Sequence, residues 1–144
     1  MTHQLRDGTV VEDLRCDLLR EPDERDSLYS IMEQVGDQPE PVPVAWTIPA
    51  GAPVLNQGKQ GSCAGFGVTN ELRFNPVPVA GLNGAFAREK IYWPAQRIDP
   101  WDGGSYPGAD PFYEGTSIRS AVKVAPQLGY VGEYRWAQSQ AEIA

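Results

Sequence analysis

Histidine is almost absent from this chain, cysteine is scarce, and long apolar runs are missing. The single histidine is His3 and the two cysteines are Cys16 and Cys63. Two cysteines so far apart make no disulfide framework, which points to a reducing compartment. No apolar run approaches the length that crosses a bilayer. The N-terminus lacks a basic start followed by an apolar stretch, so no secretory signal is visible. Positive charge is in deficit too: 12 Lys and Arg face 19 Asp and Glu, for a net charge of −7. Phosphate binding needs clustered cations, so nucleic acid is not an expected partner. The deficit is local. Residues 1–40 hold eleven acids and four bases, whereas residues 41–144 hold eight of each. The acidity therefore belongs to a leader, and the remainder is neutral. No internal repeat or low-complexity tract is present.

What the chain does contain is ordinary globular material. Its 144 residues are 41% apolar and 22% charged, enough for one domain with a modest core. Thirteen prolines and fifteen glycines predict short elements and many loops. Thr9-Val10-Val11-Glu12 reads as a capping box opening an amphipathic helix through Val11, Leu14 and Leu18. Leu28, Ile31, Met32 and Val35 give a second helical stripe. Residues 37–43 are proline-rich and mark a linker, because proline lacks a donor and restricts its predecessor. Residues 1–43 are thus expected to be an acidic arm or short pro-segment, and residues 44–144 the domain.

The stretch Pro53-Val54-Leu55-Asn56-Gln57-Gly58-Lys59-Gln60-Gly61-Ser62-Cys63 organises that domain. Turn chemistry comes first, then a hydroxyl, a thiol and the start of a helix. A thiol at a helix N-terminus sits in the field of unpaired N–H groups, which favours the nucleophilic thiolate. Six residues earlier stands Gln57, whose amide can donate to a developing oxyanion.

These residues resemble the nucleophile region of papain-like cysteine peptidases: Trp46, Pro53-Val54, Asn56-Gln57-Gly58, then Gly61-Ser62-Cys63. The resemblance implies Cys63 as nucleophile and Gln57 with the Cys63 N–H as oxyanion hole. Two positions depart from the family signature. Gln60 replaces a cysteine, so the usual local disulfide cannot form, and Ala64 replaces the aromatic after the nucleophile. This fits an intracellular, cytoplasmic or phage-encoded branch better than the secreted enzymes.

Further along, a helix is expected from Cys63 to about Phe74, stopped by Asn75-Pro76. Gly65 and Gly67 cost it about 1 kcal/mol each against alanine, which suggests close packing on a neighbour. Residues 86–92 read as a second helix that Pro94 ends or kinks. Ile118, Ala121, Val122, Ala125 and Leu128 form a third helical stripe, with Thr116 or Ser117 as N-cap, Pro126 in the last turn and Gly129 as stop. The family resemblance extends over about residues 44–144 and implies that Gly115, just before this helix, pairs with a peptide's main chain.

A thiol peptidase also needs a base. His3 lies in the leader, and the family's His and Asn follow the nucleophile by roughly 130–150 residues. Cys63 stands 81 residues from the end of this sequence. Three readings stay open: a fragment of a longer frame, a catalytically dead relative used for binding, or a lobe completed by another polypeptide. Other motifs fail on spacing. Gly65-Phe66-Gly67 lacks the third glycine of a dinucleotide fingerprint, and Gly58-Lys59 lacks a P-loop frame. Asp99, Asp102, Asp110 and Glu114 fit no EF-hand loop. Trp93, Trp101, Tyr106, Phe112 and Tyr113 read as packing aromatics rather than a sugar platform.

The expectation is an α+β papain-like fold, of which this chain is the mainly α-helical N-terminal lobe plus the acidic arm. It is expected to act on peptide or protein substrates through Cys63, Gln57 and Gly115, with no metal, cofactor or membrane and with a C-terminal lobe on the same or another chain. The rival is a non-catalytic binding or structural module.

Overall fold

The structure, a computed structural model, describes residues 3–4, 10–11, 47–75 and 77–137. Trp46, Cys16, the Leu14–Leu18 and Leu28–Val35 stripes and the 37–43 linker lie outside these residues. Strand β1 (His3–Gln4) pairs antiparallel with β2 (Val10–Val11), His3 opposite Val11 and Gln4 opposite Val10. A helix was expected to begin at Val10–Val11. β-Branched side chains favour extended backbone, and Val10 and Val11 take it by pairing with Gln4 and His3.

Helix α1 (Cys63–Glu71) follows the Gly-rich approach. It ends three residues before the expected Phe74. Arg73 and Phe74 then make tighter turns, their N–H groups bonding Asn70 and Glu71 carbonyls at 3.0 and 3.1 Å. Asn75 is drawn away from the helical path by Thr47, to which it donates from its backbone (2.8 Å) and its side-chain amide (2.9 Å). Arg73 is buried. Its guanidinium donates to the Pro53 carbonyl at 2.5 Å and to Asn70 Oδ1 at 3.0 Å, fastening the approach segment to the helix.

The second helical region does not stop at Pro94. Helix α2 (Gly84–Phe86), capped by Asn83, runs into a π-helical stretch (Ala87–Tyr92) and then α3 (Trp93–Ile98). The Trp93 N–H reaches back five residues to Arg88 O. A proline has no N–H and its ring collides with the carbonyl four residues back, here that of Lys90. The wider turn before Pro94 gives the ring room, so the helical path continues.

Helix α4 (Ile118–Gln127) is capped by Ser117, whose hydroxyl accepts from Ser120 N at 3.0 Å. Pro126 lies within it, and the chain turns at Gly129. Its buried face is Ser120, Ala121, Val124 and Ala125. The expected stripe is therefore rotated: Ile118 is 46% exposed and Leu128 39% exposed.

The core joins α1, the π-helical stretch, α3 and α4. Ala64, Val68, Ile91, Ala95, Ala121, Val124 and Ala125 form it, with Phe86, Val122 and Val131 at its margin. Its many alanines let the helix backbones approach closely. Gly65 carries this furthest, because a β-carbon there would stand 2.6 Å from Tyr92 Cβ. Gly67 faces open space, so its helical cost has no packing counterpart. Between α3 and α4 the chain runs without helix, and Gly104 and Phe112 form a parallel bridge. No helix among the described residues is long and apolar enough to cross a membrane.

Candidate active site

Cys63 is the first residue of α1, exposed and free. Four N–H groups at a helix start have no partner within the helix. Ser62, the N-cap, makes no side-chain cap to them. It is fully buried, and its hydroxyl donates instead to the Gln60 carbonyl at 3.4 Å. The end of the helix that carries the thiol thus receives no side-chain cap from Ser62.

Gln57 lies on the turn before the helix. Its Nε2 donates to the Gln60 carbonyl at 3.1 Å. An amide nitrogen carries two hydrogens, so the second is left for another acceptor. The Gln60 side chain is held at both ends, by Arg88 Nε on Oε1 (2.6 Å) and by donation to Ser105 Oγ (3.4 Å). At the position where the resemblance has a cysteine, a polar clasp thus ties the turn to the π-helical stretch and to the loop after α3.

Glu114 and Gly115 lie directly against this turn. The Gly61 N–H donates to Glu114 Oε2 at 3.1 Å, and a β-carbon on Gly61 would meet Glu114 Cβ at 3.2 Å and Gly115 N at 3.5 Å. Gly115 has φ +111, a conformation that a side chain would strain. Its N–H donates to Tyr92 Oη at 2.8 Å, and its carbonyl accepts from Gln96 Nε2 at 2.9 Å. Of the two backbone groups with which Gly115 could pair with a peptide's main chain, the N–H is therefore engaged inside the protein. The carbonyl keeps a second lone pair.

The polar network beneath the site has no distinctive signature in the sequence. Gln96 is buried, and its Nε2 reaches Tyr92 Oη (3.0 Å), the Gly115 carbonyl and the Tyr113 carbonyl (3.3 Å). Its Oε1 accepts from Ser105 N (2.9 Å) and Oγ (3.1 Å). Burial raises the Tyr92 hydroxyl above its ordinary range; hydrogen bonds with Ser105 and Gly115 lower it, and Glu114 and Cys63 push it up further. The i, i+4 spacing of Tyr92 and Gln96 was the one signal available, and it is too common to single them out.

Asp99 anchors a second cluster. It accepts from Tyr113 Oη (2.8 and 2.9 Å), Thr116 Oγ1 (2.7 Å) and Trp101 N (3.1 Å). Burial, then the bond to Asp99, raises the Tyr113 phenol strongly. The aromatics considered as a platform have separate tasks. Trp101 meets Tyr113 edge-on, Tyr106 lies under Arg97, and Phe112 is 62% exposed. His3 is in β1. Among the described residues no group of three or more His, Cys, Asp or Glu is arranged to hold a metal ion.

The chain matches no family model, no curated protein and no solved structure.

Proposed function

We propose that this chain is the nucleophile-bearing lobe of a papain-like, α+β cysteine peptidase that hydrolyses peptide amide bonds. The observation that carries the reading is the exposed Cys63 at the uncapped start of α1, six residues beyond an amide anchored on the same turn. The Cys63 sulfur attacks the scissile carbonyl carbon. The carbonyl oxygen becomes an oxyanion, met by the Cys63 N–H and the second N–H of Gln57. The Glu114–Gly115 backbone lies against the same turn, and a peptide main chain meets Gly115 through its carbonyl. The histidine that takes the thiol proton and later protonates the leaving amine comes from a strand-rich lobe outside these residues, on the same or another polypeptide. The reducing setting implied by Gln60 in place of a cysteine is the interior of a cell, cytoplasmic or phage-encoded.

The test uses a Cys16→Ser chain, in which Cys63 is the remaining thiol. Iodoacetamide at neutral pH is expected to label Cys63 faster in the folded protein than in urea. Equal or slower labelling of the folded form overturns the reading. It would favour the second one, a non-catalytic binding or structural module, which the inward bond of the Gly115 N–H to Tyr92 supports.

A further inference from the structure

We propose that Gln60 is a positioning residue that sets the orientation of the Gln57 amide; this rests on the peptidase reading of Cys63 and Gln57. The terminal torsion of a glutamine is broad and nearly two-fold. A Gln57 amide free to turn would present its oxygen to the oxyanion half of the time and repel it. The Gln60 carbonyl removes that choice. A carbonyl oxygen only accepts, so the Gln57 group facing it at 3.1 Å is the nitrogen. The same carbonyl accepts from Ser62 N at 2.8 Å and Ser62 Oγ at 3.4 Å. It thereby sets the amide and the residue before Cys63 from one atom.

What holds the carbonyl is the other end of Gln60. Arg88 Nε donates to Oε1 at 2.6 Å, and Nε2 donates to Ser105 Oγ. Ser105 is itself fixed on buried Gln96. Arg88 projects from the π-helical stretch, whose wide turn also passes Pro94. A side-chain relay thus runs from the buried Gln96 through Ser105 to Gln60 and so to Gln57, doing without the disulfide that the family resemblance would put here.

The experiment compares two reagents on Cys63 in the Cys16→Ser background. A peptide aldehyde adds to the sulfur: a C–S bond forms, the carbonyl π bond opens, and the oxygen takes the negative charge before protonation. Iodoacetamide forms a C–S bond and expels iodide, with no oxyanion. In Gln60→Ala, protection by the aldehyde is expected to weaken about tenfold, less than outright loss of an oxyanion donor, while the iodoacetamide rate stays within about twofold. Gln60→Glu keeps the acceptor for Arg88 but loses the donor to Ser105, and is expected to restore part of the protection. Hydrogen exchange of the Gln57 side-chain amide, read by NMR, is expected to quicken in Gln60→Ala and recover in part in Gln60→Glu. Unchanged protection and exchange overturn the proposal, as does an equal fall with both reagents, which is general loosening. If the aldehyde fails to protect even with Gln60 intact, the peptidase reading falls, and the amide exchange alone decides whether Gln60 holds Gln57.

Discussion

Gly65 stands too close to Tyr92 for any side chain: a β-carbon on Gly65 would lie 2.6 Å from Tyr92 Cβ and 2.8 Å from the Ala87 carbonyl oxygen. Neither neighbour is a flexible tip. Gly65→Ala is therefore expected to cost about 1–3 kcal/mol of stability through overpacking. Gly67→Ala, two residues on and facing open space, is expected to gain up to about 1 kcal/mol of helix propensity. Urea denaturation of the two variants checks the opposite signs.

Gln96 is the buried support of the Gly115 turn. Gln96→Leu keeps most of the volume and leaves Ser105 N and the Gly115 carbonyl short of a partner. A loss of about 3 kcal/mol is expected, since each buried polar group left unpaired carries a desolvation cost. Thermal and urea unfolding measure it, and a change under about 0.5 kcal/mol, the ordinary range for surface sites, would refute the support role.

Gly115 has room for a β-carbon but holds φ +111. Gly115→Ala is expected to destabilise by about 1–3 kcal/mol through backbone strain alone. Because both its backbone groups bond inward, NMR shifts of Tyr92 and Gln96 are expected to accompany the loss.

Alkaline pH should weaken the fold through Tyr92 and Tyr113. Both phenols are raised above their ordinary value near 10, first by burial. The folded state keeps their protons where the unfolded state releases them. Their contribution is thus fully present below about pH 10 and is lost as pH rises above it. Phenolate absorbance is expected to show these two tyrosines ionising together with unfolding, and Tyr113→Phe is expected to remove part of that dependence. Ionisation of all six tyrosines within the folded state would contradict this.

Removing the hydroxyl of Ser117 tests the start of α4. It accepts from Ser120 N at 3.0 Å, and Ser117→Ala is expected to cost about 1 kcal/mol, typical of a lost N-cap. Circular dichroism during urea unfolding reads it.

Several features were legible in the residues because they depend on near neighbours in sequence. The thiol at a helix start follows from Gly-Ser-Cys before an uninterrupted run. The Ser117 cap and the turn at Gly129 follow from local hydrogen bonding and backbone freedom. The glycine at 65 pointed to a close helix neighbour, although the same argument failed at Gly67, because propensity does not say which side of a helix is covered.

Other features depend on partners far along the chain. Pro94 reads as a helix breaker until a π-turn makes room for its ring. Gly115 reads in sequence as backbone for pairing with a peptide, but packing gives its N–H to Tyr92, 23 residues away. Val10–Val11 fit a capped helix by spacing and became a strand by pairing with His3–Gln4. The sequence by itself determined that a thiol opens a helix and that an amide stands on the turn before it, because side-chain identity and turn propensity are local. Only the tertiary structure decided which polar groups those residues meet, because a buried donor or acceptor takes whichever partner packing brings within reach.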